Sequence, residues 1–564
     1  MLENKPVQEK PAGRCVLSVR YSLDGNFWKY ILLVGDENMT SKDQYILAID
    51  LGTSGPKVAL FSTDGELIGS EFEETQLKLI PGGGAEQSSD DWWGAIDQAA
   101  KRLLGKNLVR NDDIVAVVST GQWAGTVPLD AEGKALSNAI IWMDARGAPQ
   151  IAQIVDGPFK VQGYALGKLI KWVRLTGGIP GQSGKDPIAH ILYLKQNYPE
   201  IYQRTHKFLE PVDYIGFRLT GRYAASFDSI TLHWLTDNRD IRNVRYDEDL
   251  IRLSGIDPAK LPELLPANSI LGNLCKEVAQ EWGLREDVRV VIGSPDIPSA
   301  AVGSGAARDF ETHLYIGTSS WLTCHVPFKR SDLLHNMAAL PSAVPERYLL
   351  TDTQECAGVC LQYLRDNVLF HQDELSQGDK PKNAYQIFDQ IAERTPAGSD
   401  KLIFTPWLYG ERAPVDDHTI RGGFYNQSLR TTREHMVRAE FEGVAYNSRW
   451  ILKYVEQFIK RQVGAINMVG GGAKSDIWCQ IHADVLDRPI RQMQDPIEVN
   501  VRGAALLASA ALGHLRYDEI GTHVPIVKTY TPNPDHRKIY DELFNEFIAI
   551  YESNHKIHAR LNRS

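Results

Sequence analysis

Cysteine is scarce in this chain. Six residues (Cys15, Cys275, Cys324, Cys356, Cys360 and Cys479) are scattered over 564 positions. Only Cys356 and Cys360 fall close enough to share a helix face. No histidines lie beside that pair and no second pair answers it, so buried thiols are expected rather than a zinc site. Few, scattered thiols fit a reducing cytoplasm. Long apolar runs are missing too: nothing approaches the roughly 18 uninterrupted apolar residues of a membrane span. The net charge of −10 is mild for this length, and Lys and Arg are dispersed. Neither nucleic acid nor an acidic membrane is therefore expected as the main partner. Two familiar phosphate signatures are also absent, since no GK[ST] loop and no G-x-G-x-x-G opens a helix. What remains is an ordinary globular composition on a chain long enough for two large domains.

The stretch at 45–57, YILAIDLGTSGPK, organises the rest. An apolar, β-prone run ends in Asp50 and breaks into Gly52-Thr53-Ser54-Gly55-Pro56. A second apolar run, Val58-Ala59-Leu60-Phe61, leads into the hairpin signal Thr63-Asp64-Gly65. This predicts strand, glycine turn, strand, turn, strand. Small residues in the first turn leave backbone N–H groups and the hydroxyls of Thr53 and Ser54 free to face an anion, and Lys57 can add charge. A carboxylate at Asp50 can hold a metal-bound water beside a phosphate. The pattern returns in the second half, where Leu314-Tyr315-Ile316 runs into Gly317-Thr318-Ser319 and out into a further apolar strand. Two such turns imply two similar lobes with a nucleotide clamped between them.

Between and beyond these turns the chain alternates strands and helices. Residues 1–38 look like a loose extension or a start-site artefact, with the folded part beginning near Tyr45. The polar run at 86–91 predicts a helix start ahead of Trp92 and Trp93. A buried strand at 114–119 leads into Gln122-Trp123-Ala124-Gly125. Residues 139–146 read as an apolar strand ending in Trp142, Asp144 and Arg146. Trp142 suits either the core or a site, and Asp144 with Arg146 suits a site or a structural ion pair. Asp228 reads as structural. The strand at 290–292 ends in Gly293-Ser294-Pro295-Asp296, ahead of a small-residue helix at 299–305. Asp296 is placed for acid–base work, and a helix N-cap is the competing role. Farther on come a rigid loop at 404–414, a long helix at 432–458 and a buried strand at 466–469. That strand runs into Gly470-Gly471-Gly472-Ala473-Lys474 and a further helix at 476–486. Three glycines let a flat ring lie against backbone, and the helix offers its N-terminus to an anion. An alanine-rich helix is expected at 501–513 and a last helix at 540–551.

Taken in order, these motifs resemble the FGGY carbohydrate kinases of the sugar kinase, actin and Hsp70 superfamily, nearest the xylulokinase branch. The resemblance spans about 45–513 and rests on AIDLGTSGPK, AEQSSDDWW, AIIWMDARG, VVIGSPDIPSAAVGSG, YIGTSS, WLYGERAP with the following RGGFYNQSLRTTREHMVRAEFEGVAY, and VGGGAKSDIWCQIHADVLDRPI. It implies an α/β, two-lobed, actin-like ATPase (ribonuclease H-like) fold with the active site in the interlobe cleft. Residues 1–44 would be an extension, 45–305 the sugar- and phosphate-binding domain, 306–548 the ATP domain and 549–564 a tail. By the same resemblance Asp296 is the general base. Asp50 positions Mg²⁺, and Gly52, Thr53, Gly317 and Thr318, flanked by Ser54, Lys57 and Ser319, cradle the ATP phosphates. Gly471, Gly472 and Lys474 border the adenosine. The implied reaction is ATP-dependent phosphorylation of a sugar or polyol, with a ketopentose such as D-xylulose first and ribulose or erythritol among the alternatives.

One departure bears on the substrate. Where xylulokinases usually read Gln-Met-His-Gly, this chain has Gln122-Trp123-Ala124-Gly125. Trp123 offers a flat face and one donor, so acceptors for sugar hydroxyls are expected from Gln122, Asp144 and Asp296, with Trp142 on the pocket wall. Two other readings compete. An actin- or Hsp70-like ATPase would give no reason for the strand at 139–146, and a sugar-sensing regulator would want a DNA-binding segment that residues 1–44 do not suggest. A small-molecule sugar is the expected partner, with a homodimer left open.

Overall fold

From Tyr45 to Leu51 every residue but Asp50 is apolar or aromatic, which suits a strand covered on both faces. The computed structural model describes residues 43–374 and 380–562, so the expectation for 1–38 and the last two positions of the tail lie outside the described residues. Strand β1 (Tyr45–Gly52) sits inside a six-stranded sheet. β2 (Gly55–Ser62) returns antiparallel with Gly55 opposite Gly52, and β3 (Leu67–Phe72) follows antiparallel. On the other side of β1, β4 (Ile114–Gly121) runs parallel; beyond it, β5 (Ile270–Asn273) is the antiparallel edge of β6 (Arg289–Pro295), which is parallel to β4. The order is β5-β6-β4-β1-β2-β3.

The second sheet repeats this plan. Its strands are β7 (Thr312–Ile316), β8 (Ser320–Val326), β9 (Ser331–Asp332), β10 (Met337–Pro341), β11 (Tyr348–Gln354), β12 (Ile466–Val469), β13 (Ile490–Met493) and β14 (Ile526–Tyr530). They lie in the order β9-β10-β11-β8-β7-β12-β13-β14. Within it, β11-β8-β7-β12-β13 has the neighbours and directions of β3-β2-β1-β4-β6 in the first sheet. The two Gly-Thr-Ser turns thus occupy equivalent corners, β1 to β2 and β7 to β8.

Helices cover the sheets. Ser88 Oγ accepts from Asp91 N at 3.1 Å and caps α1 (Ser89–Gly105), whose Trp92, Ile96, Ala99 and Leu103 pack on Leu47, Ile49 and Leu51 with Tyr214 and Ile215 of α2 (Pro211–Thr220). Helix α3 (Asp296–Gly303) follows β6 directly. The long α4 (Arg433–Ile459) buries Val437, Phe441 and Val444 against Leu314, Ile316 and Leu322. After β12 comes α5 (Asp476–Leu486), and after β13 comes α6 (Val499–Ala511). Small residues let α6 lie close: Val501, Ala504, Ala505 and Ala508 pack on Ile46, Ala48, Ala116 and Val118, the face of the first sheet turned away from α1. Elsewhere α6 crosses α3.

Three expectations change. The strand expected at 139–146 is only Ala139–Ile140, because the chain turns at once, with Asp144 N bonding Ile141 O. The last helix runs from Arg537 to Asn562 without a break at 548, so residues 549–562 continue a packed helix rather than forming a separate tail. Cys356 precedes the helix Gly358–Tyr363 instead of sharing it with Cys360, although both thiols are free and buried.

Candidate active site

The first phosphate turn is held by its neighbours. Gly55 has φ +145°, and a Cβ there would press on the backbone of Glu73, so only glycine closes the turn. Gln87 Nε2 donates to Thr53 O at 2.8 Å, Thr75 N donates to Ser54 O at 3.0 Å, and Trp142 Nε1 donates to Thr53 Oγ1 at 3.0 Å. Trp142 is 38% exposed, which places it at the edge of the site and not in the core. Lys57 is already engaged. Its Nζ bonds Ile497 O at 3.1 Å and pairs with Glu498 at 3.0 Å, so its charge ties β2 to the start of α6 instead of standing free for an anion.

Two carboxylates stand at the ends of parallel strands in the first sheet. Asp50 is near the end of β1, and its Oδ2 accepts from Asn500 Nδ2 at 3.3 Å. Burial raises its pKa, while Lys57 and the Asn500 bond oppose the rise. Asp296 follows β6 as the first residue of α3. The capping position belongs to Pro295, so the N-cap role is not the one taken. One Asp296 oxygen accepts from Ile297 N at 2.8 Å, and no ion pair engages its carboxylate among the described residues. Burial first, then the charge of Asp50, pushes its pKa to about 7.

The second turn comes close to both acids. Tyr315, two residues before Gly317, has its hydroxyl pushed up to about 12 by burial and by the charges of Asp296 and Asp50. Its ring stacks on Trp321 at 3.9 Å and covers Gly317, where a Cβ would meet Tyr315 Cζ at 2.9 Å. Ala357 N and Val359 N donate to Thr318 O, and Gly358 N to Gly317 O, which leaves the Thr318 and Ser319 side chains on the open side. Farther along the sheet, Gly470 (φ +86°) and Gly472 pack against Ile316, the last residue of β7. Gly471 has nothing within 4 Å of a built Cβ, and it is exposed with Lys474. The glycine loop therefore has a packed side against the strand behind the second turn and an open side for a flat ring.

The proposed sugar wall is drier than its sequence suggests. Gln122 Nε2 donates to Gln87 Oε1 at 2.9 Å, and Gln122 Oε1 is buried with no partner among the described residues. Trp123 spends its single donor on Ser229 O at 2.9 Å and packs in a cluster with Ile140, Trp172 and Trp234, against which Ile297 also packs. Asp144 is the clearest correction: Ala85 N, Arg146 N and the Arg146 guanidinium all donate to it, and that guanidinium also pairs with Glu86. Its oxygens are committed to the turn, so it is an ion-pair anchor with nothing left for a hydroxyl. Reading the sequence missed Gln87, Tyr315 and Asn500. Gln87 lay inside a motif read only as a helix start, Tyr315 inside an apolar strand, and Asn500 one residue ahead of the alanine-rich helix expected at 501–513, which in the structure begins at Val499.

The donor set fits a magnesium ion of the kind held mostly by phosphate and water. Among the described residues Asp50 Oδ1 is buried without a hydrogen-bond partner, and they contain no cluster of three or more His, Cys, Asp or Glu side chains able to cage a metal. Mg²⁺ characteristically takes one or two carboxylates and completes its shell from phosphates and waters.

Two sheets of one plan, with paired Gly-Thr-Ser turns at equivalent corners, define the two-lobed, actin-like ATPase fold. Residues 45–303 match the FGGY family of carbohydrate kinases, N-terminal domain, and residues 314–512 match its C-terminal domain. The chain belongs to the FGGY family of carbohydrate kinases and is a sugar kinase that uses ATP. It is 27% identical over 521 residues to a xylulose kinase of Staphylococcus epidermidis, covering 92% of this chain and 98% of that one. It is 25% identical over 509 residues to a gluconokinase of Bacillus licheniformis, covering 90% and 95%. Among solved structures, a gluconate kinase from Lactobacillus acidophilus superposes with a TM-score of 0.80 at 26% identity, covering 92% of this chain and all of that one. No helix among the described residues is long and apolar enough to cross a membrane.

Proposed function

We propose that Asp296 is the general base in transfer of the ATP γ-phosphoryl group to a hydroxyl of a ketopentose such as D-xylulose. The supporting observation is that its carboxylate has no ion-pair partner among the described residues and is poised near pH 7 between the two phosphate turns. The acceptor hydroxyl gives its proton to Asp296 as its oxygen bonds to the γ-phosphorus, the bond to the β-phosphate oxygen breaks, and ADP leaves. Thr53, Ser54, Thr318 and Ser319 present hydroxyls and backbone N–H groups to the phosphates, and Gly471, Gly472 and Lys474 border the adenosine. Asp50 holds Mg²⁺, which supplies positive charge against the phosphate oxygens. Gln122 Oε1 is the free acceptor on the sugar wall, and the Trp123 and Trp142 rings offer faces to C–H bonds. Free cysteines, four of the five described ones buried, suit a reducing cytoplasm.

One observation favours a second substrate class, an acceptor that carries a carboxylate. Lys185 is half-buried with no hydrogen bond or ion pair to an acid among the described residues, and Arg412 and Glu355, from beyond β11, sit within electrostatic reach of it. An ammonium group so placed suits an acidic sugar. A coupled ADP-release assay with Mg-ATP, run against D-xylulose, D-ribulose, L-ribulose, L-xylulose, erythritol, xylitol, glycerol and D-gluconate, tests both. Saturable release with a neutral ketose supports the first reading and release with gluconate alone the second. Slow release indifferent to every acceptor would count against both.

A further inference from the structure

Asp50 and Asn500 come together from opposite ends of the chain. Asn500 Nδ2 donates to Asp50 Oδ2 at 3.3 Å, which sets the carboxamide beside the carboxylate. The other carboxylate oxygen, Asp50 Oδ1, and the single carboxamide oxygen, Asn500 Oδ1, are both buried and accept nothing among the described residues. Folded proteins rarely leave such oxygens unpaired, and an ion or ordered water is a usual reason when they do. Here there are two in neighbouring side chains, one of them anionic.

The position of Asn500 is fixed by its surroundings. It lies in the first turn of α6, just after Ile497 and Glu498, the two residues that hold Lys57 Nζ. The start of α6 is thereby pinned beside β1 and β2, next to the first phosphate turn. A carboxamide at this point adds an oxygen without adding negative charge to a place that already holds Asp50 and Glu498.

We propose that Asn500 is a second oxygen donor at the Mg²⁺ locus, acting with Asp50 through its carboxamide oxygen. The inference rests on the reading above that Asp50 holds the metal. It makes metal retention depend on a residue that follows β13 of the second sheet, while Asp50 belongs to the first.

Counting free Mn²⁺ by electron paramagnetic resonance in the full-length protein with saturating ADP tests this. Asn500→Ala should weaken Mn²⁺ binding about tenfold, in the range seen when a supporting metal contact is removed. Metal-free ADP affinity should stay where it was. Asn500→Asp, which keeps an oxygen in place, should retain Mn²⁺ at or above the native affinity. Mn²⁺ affinity of Asn500→Ala within twofold of native would overturn the inference, as would an equal loss of metal-free ADP binding, which would make Asn500 a nucleotide contact. Asp50→Asn separates this failure from that of the kinase reading. A loss in Asp50→Asn without one in Asn500→Ala overturns only the role of Asn500, whereas no loss in either removes the metal from this corner altogether.

Discussion

Gly303 of α3 and Gly503 of α6 meet backbone to backbone where the two helices cross. A Cβ on Gly303 would lie 2.7 Å from Gly503 N, and one on Gly503 would lie 3.0 Å from Gly303 N and 2.6 Å from the Ser299 carbonyl carbon. Since α3 starts at Asp296 and α6 carries Asn500 in its first turn, this contact sets the spacing between those two residues. In an exposed helix Gly→Ala gains about 1 kcal/mol. Here Gly503→Ala should instead cost about 1–3 kcal/mol, the usual range for overpacking. Urea unfolding of the variant decides it, and a gain in stability would mean that the helices are not held this close.

Asp296→Asn should keep the fold and ADP binding yet lose at least about a hundredfold in kcat, within the range for removing a general base. The same residue sets the pH response. With its pKa near 7 and the carboxylate as the active form, kcat/KM should fall as pH drops through 7, by about tenfold for each further unit. A flat profile from pH 5.5 to 8 would remove Asp296 from the proton-accepting role.

The two faces of the glycine loop at 470–474 predict opposite outcomes for neighbouring glycines if the open one meets adenosine. A Cβ on Gly472 would meet Ile316 Cβ at 2.8 Å and Trp478 Cζ3 at 3.0 Å, while one on Gly471 meets nothing within 4 Å. Gly472→Ala should cost about 1–3 kcal/mol of stability. Gly471→Ala should stay within about 0.5 kcal/mol of native and raise the KM for ATP several-fold. Melting curves and ATP titrations of the two variants check the pair, and matching behaviour would mean that the open face of the loop is not the one that meets the nucleotide.

Lys185→Met separates the two substrate classes. If the acceptor is a neutral ketose, its KM should change less than about threefold. If it carries a carboxylate, loss of a charge-assisted contact of about 1.5–3 kcal/mol should raise the KM more than about tenfold and leave the KM for ATP unchanged.

Local signals carried the sequence reading furthest. Asp50, Gly52, Gly317 and Asp296 each sit where an apolar strand breaks into small residues, and that combination is visible within ten positions. The match of the two sheets could be anticipated because both turns repeat the same string. Lys57 and Asp144 were misjudged for a common reason, namely that their occupants are set by packing. Lys57 is claimed by Ile497 and Glu498, more than four hundred positions away, and Asp144 is filled by the backbone of Ala85 and the side chain of its near neighbour Arg146. Trp142 could have been core or cleft, and only its exposure decided between them. Asn500 gave no signal at all, because nothing in an alanine-rich helix announces which carboxylate its first turn will approach.

The hydrogen bond from Trp142 to Thr53 Oγ1 joins the wall offered to the acceptor directly to the turn offered to the phosphates. On the proposed assignment of these two residues, a ligand that settles the indole would also settle a hydroxyl at the other ligand's site, and the two bindings would share a free energy. Linkage makes that share reciprocal: whatever factor the acceptor lends to nucleotide affinity, the nucleotide must return to the acceptor. Each substrate would then act as an effector of the other through this one side-chain contact.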